Sequence, residues 1–80
     1  MQIDTDKIDD TVLALLSLTS FEEGANVRAW KGHDWEVMNR LHEKGMISDP
    51  RTRAKSVVLT DTGVVRAKEL FRQFIEMKGS

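Results

Sequence analysis

The sequence predicts an α+β domain of three helices with a small antiparallel β-hairpin, and three observations carry that prediction. Apolar residues recur at helical spacing in two long stretches, residues 6–19 and about 61–77. A shorter helical stretch, 34–44, stops at Gly45, a residue suited to the left-handed position after a helix. Between it and the last helix, the turn signal Asp49-Pro50-Arg51-Thr52 leads into the β-favouring run Val57-Val58-Leu59.

With 80 residues, the chain 1–80 reads as a single domain. A chain this short buries only about 60% of its unfolded surface or a little more, so its stability is marginal and dimerisation would help. Apolar residues make up 40% and charged residues 31%, too balanced for a disordered chain. The absence of cysteine excludes disulfides and thiolate metal sites and fits a reducing, cytoplasmic location. The longest apolar run, Val12 to Leu16, is too short to span a bilayer, and no basic segment followed by an apolar one opens the chain. A membrane partner and a signal peptide are therefore not expected.

Net charge is −1, but unevenly spread. Residues 1–24 carry Asp4, Asp6, Asp9, Asp10, Glu22 and Glu23 against Lys7 alone, a balance of −5. Residues 51–80 carry seven bases against Asp61, Glu69 and Glu76, a balance of +4. Either the two ends attract each other, within a chain or between copies, or the basic half meets an anionic partner.

In the first helix Ile8, Val12, Leu15, Leu16 and Thr19 share a face, widened by Leu13 and Leu18. Asp4 or Asp6 can cap it, and Asp9 and Asp10 then lie near the positive end of the helix dipole. Val27 to Lys31 fits a short strand with Val27 and Ala29 on one side, Arg28 and Trp30 on the other; Phe21 to Gly24 has room for one helical turn. Residues 20–33 thus stay open between a strand and a scaffold helix. Asp34 caps the second helix, whose inner face is Trp35, Met38, Leu41 and His42, with Glu36, Asn39, Arg40, Glu43 and Lys44 outside. Met46 and Ile47 return to the core, and Ala54 to Thr60 forms a strand. Thr60 caps the last helix, where Val64, Ala67, Leu70, Phe71, Phe74 and Ile75 are apolar. The expected core joins Leu15, Leu16, Trp35, Met38, Leu41, Ile47, Val58, Leu59 and Phe71.

The run Leu41-His42-Glu43-Lys44-Gly45-Met46-Ile47, the basic turn after it, and the corner Leu59-Thr60-Asp61-Thr62-Gly63 resemble the back half of a winged-helix domain. The multidrug-resistance and phenolic-acid repressors share that pattern. The resemblance covers residues 34–65 and implies a winged-helix-like fold, with the hairpin as the wing. The stretches Asp4-Thr5-Asp6-Lys7, Arg28-Ala29-Trp30-Lys31-Gly32 and Ala54-Lys55-Ser56-Val57-Val58-Leu59-Thr60 resemble a family of short bacterial proteins with no assigned function. One departure stands out: the helix at 34–44 is acidic outside, with Asp34, Glu36 and Glu43 where a DNA-reading helix would carry Lys and Arg.

Catalytic chemistry finds no support. His33 and His42 are off one another's helical row, and His42 reads as a packing or capping residue. No serine has a neighbouring base or a glycine elbow, and no glycine-rich phosphate loop can be written. The aspartates lack the glycine and glutamate of a calcium loop. No enzyme activity, metal or cofactor is therefore expected. Trp30 and Trp35 read first as covers of the small core; the alternative is that one is exposed as an interface anchor.

Two binding functions remain. The first is a protein-interaction module, expected as a homodimer through Leu70, Phe74 and Met77 on the last helix. The second is a nucleic-acid-binding regulator that places Arg28, Lys31, Arg51, Arg53 and Lys55 against phosphates. No aromatic is interleaved among the wing residues, so stacking with a single strand is not expected.

Overall fold

The computed structural model describes residues 3–74. It is an α+β fold with three helices, α1 (Thr5–Leu18), α2 (Trp35–Glu43) and α3 (Asp61–Phe74). Strands β1 (Phe21–Glu23), β2 (Asn26–Trp30) and β3 (Ser56–Leu59) form one antiparallel sheet in the order β1-β2-β3. This arrangement is consistent with a winged-helix-like plan. The expected residues 75–77 of the last helix, with Ile75, lie outside the described residues. Among the described residues no helix is long and apolar enough to cross a membrane.

The caps fall where the side chains allow. Asp4 accepts a hydrogen bond from the Lys7 amide at 3.1 Å, and Asp34 accepts from the amides of Glu36 and Val37. Thr60 does more than cap α3. Its Oγ1 accepts from the Gly63 amide at 2.9 Å and donates to the Gly45 carbonyl at 2.6 Å, tying the start of α3 to the exit of α2. Gly45 has φ +77°, as its place after α2 requires. Gly63 is packed directly against the Met46 backbone, so a Cβ there would collide with the Met46 carbonyl.

Residues 20–30 form a hairpin, not the helical turn that Phe21 to Gly24 allowed. Gly24 takes φ +61° and Ala25 does not follow it into positive φ, so the two residues close a tight turn with glycine in its first central position. The expected 46–60 hairpin is antiparallel but short in its first arm, where Ile47 bridges Leu59. The Val58 amide then donates to Ser48 Oγ at 2.9 Å instead of to a carbonyl, and the ladder stops there.

The core comprises Leu13 and Leu16 from α1, Val37, Met38 and Leu41 from α2, Ala29, Val57 and Leu59 from the sheet, Ile47, and Ala67 and Leu70 from α3. Four expected members are corrected. Val58 is half-buried on the other face of the sheet, opposite Arg28, and Phe71 is half-buried because Ala67 and Leu70 supply the inner face of α3. Leu15 is 37% exposed, because the buried face of α1 is centred on Asp9, Leu13 and Leu16. Trp35 is 51% exposed, because Val37, Met38 and Leu41 supply the inner face of α2 instead.

The centre of the α1 face is a carboxylate. Asp9 is fully buried. Arg40 Nε donates to both of its oxygens at 2.9 Å, and Arg40 Nη2 donates to Oδ1 at 2.8 Å. Lys44 Nζ donates to Asp9 Oδ2 and to Asp6 Oδ1, each at 2.9 Å. The expectation that Asp9 merely faces the helix dipole, with Arg40 and Lys44 outside, is thereby corrected. A buried carboxylate needs partners, and two cations four residues apart on one helix supply them in charge-assisted bonds. Burial pushes the Asp9 carboxyl up, but the hydrogen bonds from Arg40 and Lys44, with their positive charges, outweigh it and hold the group below its ordinary value of 3.8.

A group depressed in the folded state adds stability above its unfolded pKa and loses it as pH falls toward the folded value. Asp9→Asn should therefore cost about 1.5–3 kcal/mol near neutral pH. The gap between wild type and Asp9→Asn in urea unfolding should be full above about pH 5 and narrow steadily below about pH 4. Asp49, held at about 2 by its hydrogen bonds with Arg51, is common to both proteins and cancels from the difference. A gap that stays constant from pH 7 to about pH 2 would show that the charge of Asp9 is not what matters.

Candidate binding face

The sheet has one face turned inward and one left open. Val27 and Ala29 of β2 pair with Leu59 and Val57 of β3, and these side chains pack into the core. Strand alternation puts Arg28 and Trp30 on the other face, opposite Val58 and Ser56. Phe21 pairs with Arg28, so it joins the same face. The Phe21 and Trp30 rings lie diagonally across the two strands, their centroids 5.0 Å apart and their planes tilted by 34°. Trp30 remains 56% exposed. Of the two readings of Trp30, the exposed one is observed.

Three of the five candidate basic side chains are engaged with the protein itself. Arg28 Nε donates to Ser56 Oγ at 2.8 Å and its guanidinium lies 3.7 Å from Glu23. Lys31 Nζ donates to the carbonyls of Pro50 and Thr52 at 2.7 and 2.6 Å. Arg51 pairs with Asp49, whose carboxylate also accepts the Arg51 amide. Arg53 and Lys55 are exposed and make no side-chain hydrogen bond or ion pair among the described residues. Lys31 thus shapes the 49–55 loop as an internal cation, gathering carbonyls around its ammonium. The Lys31 amide also donates to the Lys55 carbonyl at 3.1 Å, which extends the β2–β3 ladder by one step.

That ladder ends where the loop begins. Trp30 pairs with Ser56 on the outer face, and the next step sets Lys31 opposite Lys55 on the other face, so Lys55 does not share the face of the indole. The aromatic pair escaped the sequence reading because Phe21 and Trp30 meet only across β1 and β2.

The expected dimer band is divided. Leu70 is fully buried in the core, which removes it from any exposed surface; Phe74 is 49% exposed; and Met77 lies outside the described residues. His42 acts locally, its Nδ1 lying 3.1 Å from the Ile47 carbonyl. No group of three or more His, Asp or Glu side chains among the described residues is arranged to hold a metal ion. Met46, Asp61, Thr62, Val65, Arg66 and Glu69 line an open groove along α3.

Two comparisons with known proteins agree with one another. Residues 4–77 match the family described as "Domain of unknown function (DUF6429)". Uncharacterized protein y4hR of Sinorhizobium fredii (strain NBRC 101917 / NGR234) is 58% identical over 73 residues, which covers 91% of this chain and 95% of that protein. No solved structure matches the chain. The chain therefore belongs to the DUF6429 family, a family of unknown function with a bacterial relative.

Proposed function

We propose that this protein is a non-enzymatic binding module whose contact surface is the open sheet face around Trp30. One observation carries the reading: a tryptophan more than half exposed, its ring packed against Phe21, on the same face of the sheet as the Arg28 guanidinium. Leaving an indole in water gains a folded domain little, whereas tryptophan and arginine are the side chains that concentrate energy at interfaces.

Reading of duplex DNA by α2, as in a winged-helix regulator, draws less support. The exposed residues Asp34, Glu36 and Glu43 on or beside α2 are acidic, Arg40 is bound to Asp9, and Arg28, Lys31 and Arg51 already have internal partners.

A second reading, a homodimer, draws on a separate observation. Ile8, Leu15 and Leu18 are 38%, 37% and 57% exposed along the side of α1 turned away from its buried face. Their i, i+7, i+10 spacing is that of a helix-pairing seam.

A photo-crosslinking amino acid in place of Trp30, in cells of the source bacterium, is expected to yield an adduct of discrete mass, with none from a control at Val65. No adduct at either position, or equal adducts at both, would refute the sheet face as the working surface. For the homodimer, sedimentation should show association at high micromolar concentration that Leu15→Glu abolishes; a monomer throughout would refute it.

A further inference from the structure

We propose that the exposed stripe of α1 is the seam of a parallel dimer, in which α1 of one copy lies in register along α1 of another; this rests on the homodimer reading and gives it a surface and a direction. The helix carries two apolar stripes, and the fold covers one of them. Asp9, Leu13 and Leu16 are buried against the rest of the chain. Ile8 and Leu15 stay 38% and 37% exposed, with Val12 half-buried between them. Residues 8, 12 and 15 alternate steps of four and three, the a/d repeat of helices that pair. Thr5 and Thr19 continue that repeat at its two ends.

The residue types fit a second copy in one arrangement. In a parallel pair each position meets its own copy, so Ile8, Val12 and Leu15 form consecutive apolar layers between Thr5 and Thr19. An antiparallel pair sets a opposite d, and in either of its nearest registers Ile8 or Leu15 falls opposite a threonine. A β-branched residue at a with leucine at d also favours two parallel strands, and Val12 and Leu15 supply that combination. The acids that would repel a parallel neighbour are neutralised within their own chain. Asp6 is paired with Lys44, Asp9 with Arg40 and Lys44, and Asp10 with Arg66. Parallel pairing also sets the two sheets at one end of the dimer. Phe21 follows closely on the end of α1 and packs against Trp30, so both aromatic pairs stand at that end as two contact surfaces for one partner.

The chain has no cysteine, so single substitutions report the pairing without background. The full chain carrying Ile8→Cys or Leu15→Cys is oxidised at high micromolar concentration, and disulfide-linked dimer is read on a non-reducing gel. In-register helices bring each such cysteine to its own copy within disulfide reach, a Cα separation of about 4.4–6.8 Å. Each variant alone is expected to link at least about tenfold faster than a Lys68→Cys control, an exposed position on α3 where only chance collision joins two chains. Both seam positions are partly exposed, so the circular dichroism melts should match the parent; if one variant folds poorly, the other decides alone. Linking only when Ile8→Cys is mixed with Leu15→Cys means an antiparallel pair, which overturns the proposal and leaves the homodimer standing. A sedimenting dimer in which neither variant links does the same, as does linking at Lys68→Cys equal to that at the seam. A monomer throughout in sedimentation removes the seam and the homodimer together.

Discussion

A carboxylate lies at the centre of the buried face of α1, and the way the helices meet follows from it. Asp9 cannot be left alone away from water, and α2 answers it with Arg40 and Lys44, two cations one helical turn apart. The fork of Arg40 takes both carboxylate oxygens, which fixes distance and rotation together. Leu13 and Leu16 are carried inward on the same face of α1, where Met38 and Leu41 of α2 also lie. A core of leucines alone would tolerate sliding between two short helices; a buried ion pair does not. Specificity of packing, rather than raw stability, is what such a group contributes best.

The sheet is positioned by a second set of polar contacts at the other side of the fold. Thr60 clasps the exit of α2, and Gly63 lets α3 start directly against the Met46 carbonyl. Those contacts set Ile47 beside Leu59 and hold β3 in line with β2. Lys31 then draws the 49–55 loop in by two carbonyls, so the loop that carries Arg53 and Lys55 is held at the end of the sheet where Trp30 emerges. An internal cation thus presents two external ones.

Much of the fold was legible because short-range signals decide it. Asp4, Asp34 and Thr60 cap helices in any context where a helix begins, and Gly45 marks the end of one. The alternation of Val27 to Trp30 separated the inner from the outer side chains before any partner strand was known. Contacts between distant segments were not legible. Asp9 looked like a dipole acid because its partners lie 31 and 35 residues away, and placing it outside rotated the expected buried face of α1 toward Leu15. Trp35 was drawn into the core by its size, although Val37, Met38 and Leu41 fill the inner face of α2 without it. The same limit hid the candidate site. Arg28 and Lys31 read as free cations, because hydroxyl and carbonyl partners leave no mark in a charge pattern, although the partner of Arg51, Asp49, lies only two residues away; and the Phe21 ring that meets Trp30 belongs to another strand.

The central claim is that a buried charge on α1 dictates its match on α2, and a comparison of Arg40→Met with the double variant Asp9→Leu/Arg40→Met tests it most directly. With Arg40 removed, Asp9 is left buried and short of a partner, so the further change to leucine should raise the urea midpoint above that of Arg40→Met alone. If the two losses simply add, and the double variant unfolds earlier than either single one, Asp9 and Arg40 act independently and the account of how α1 and α2 find their register is wrong.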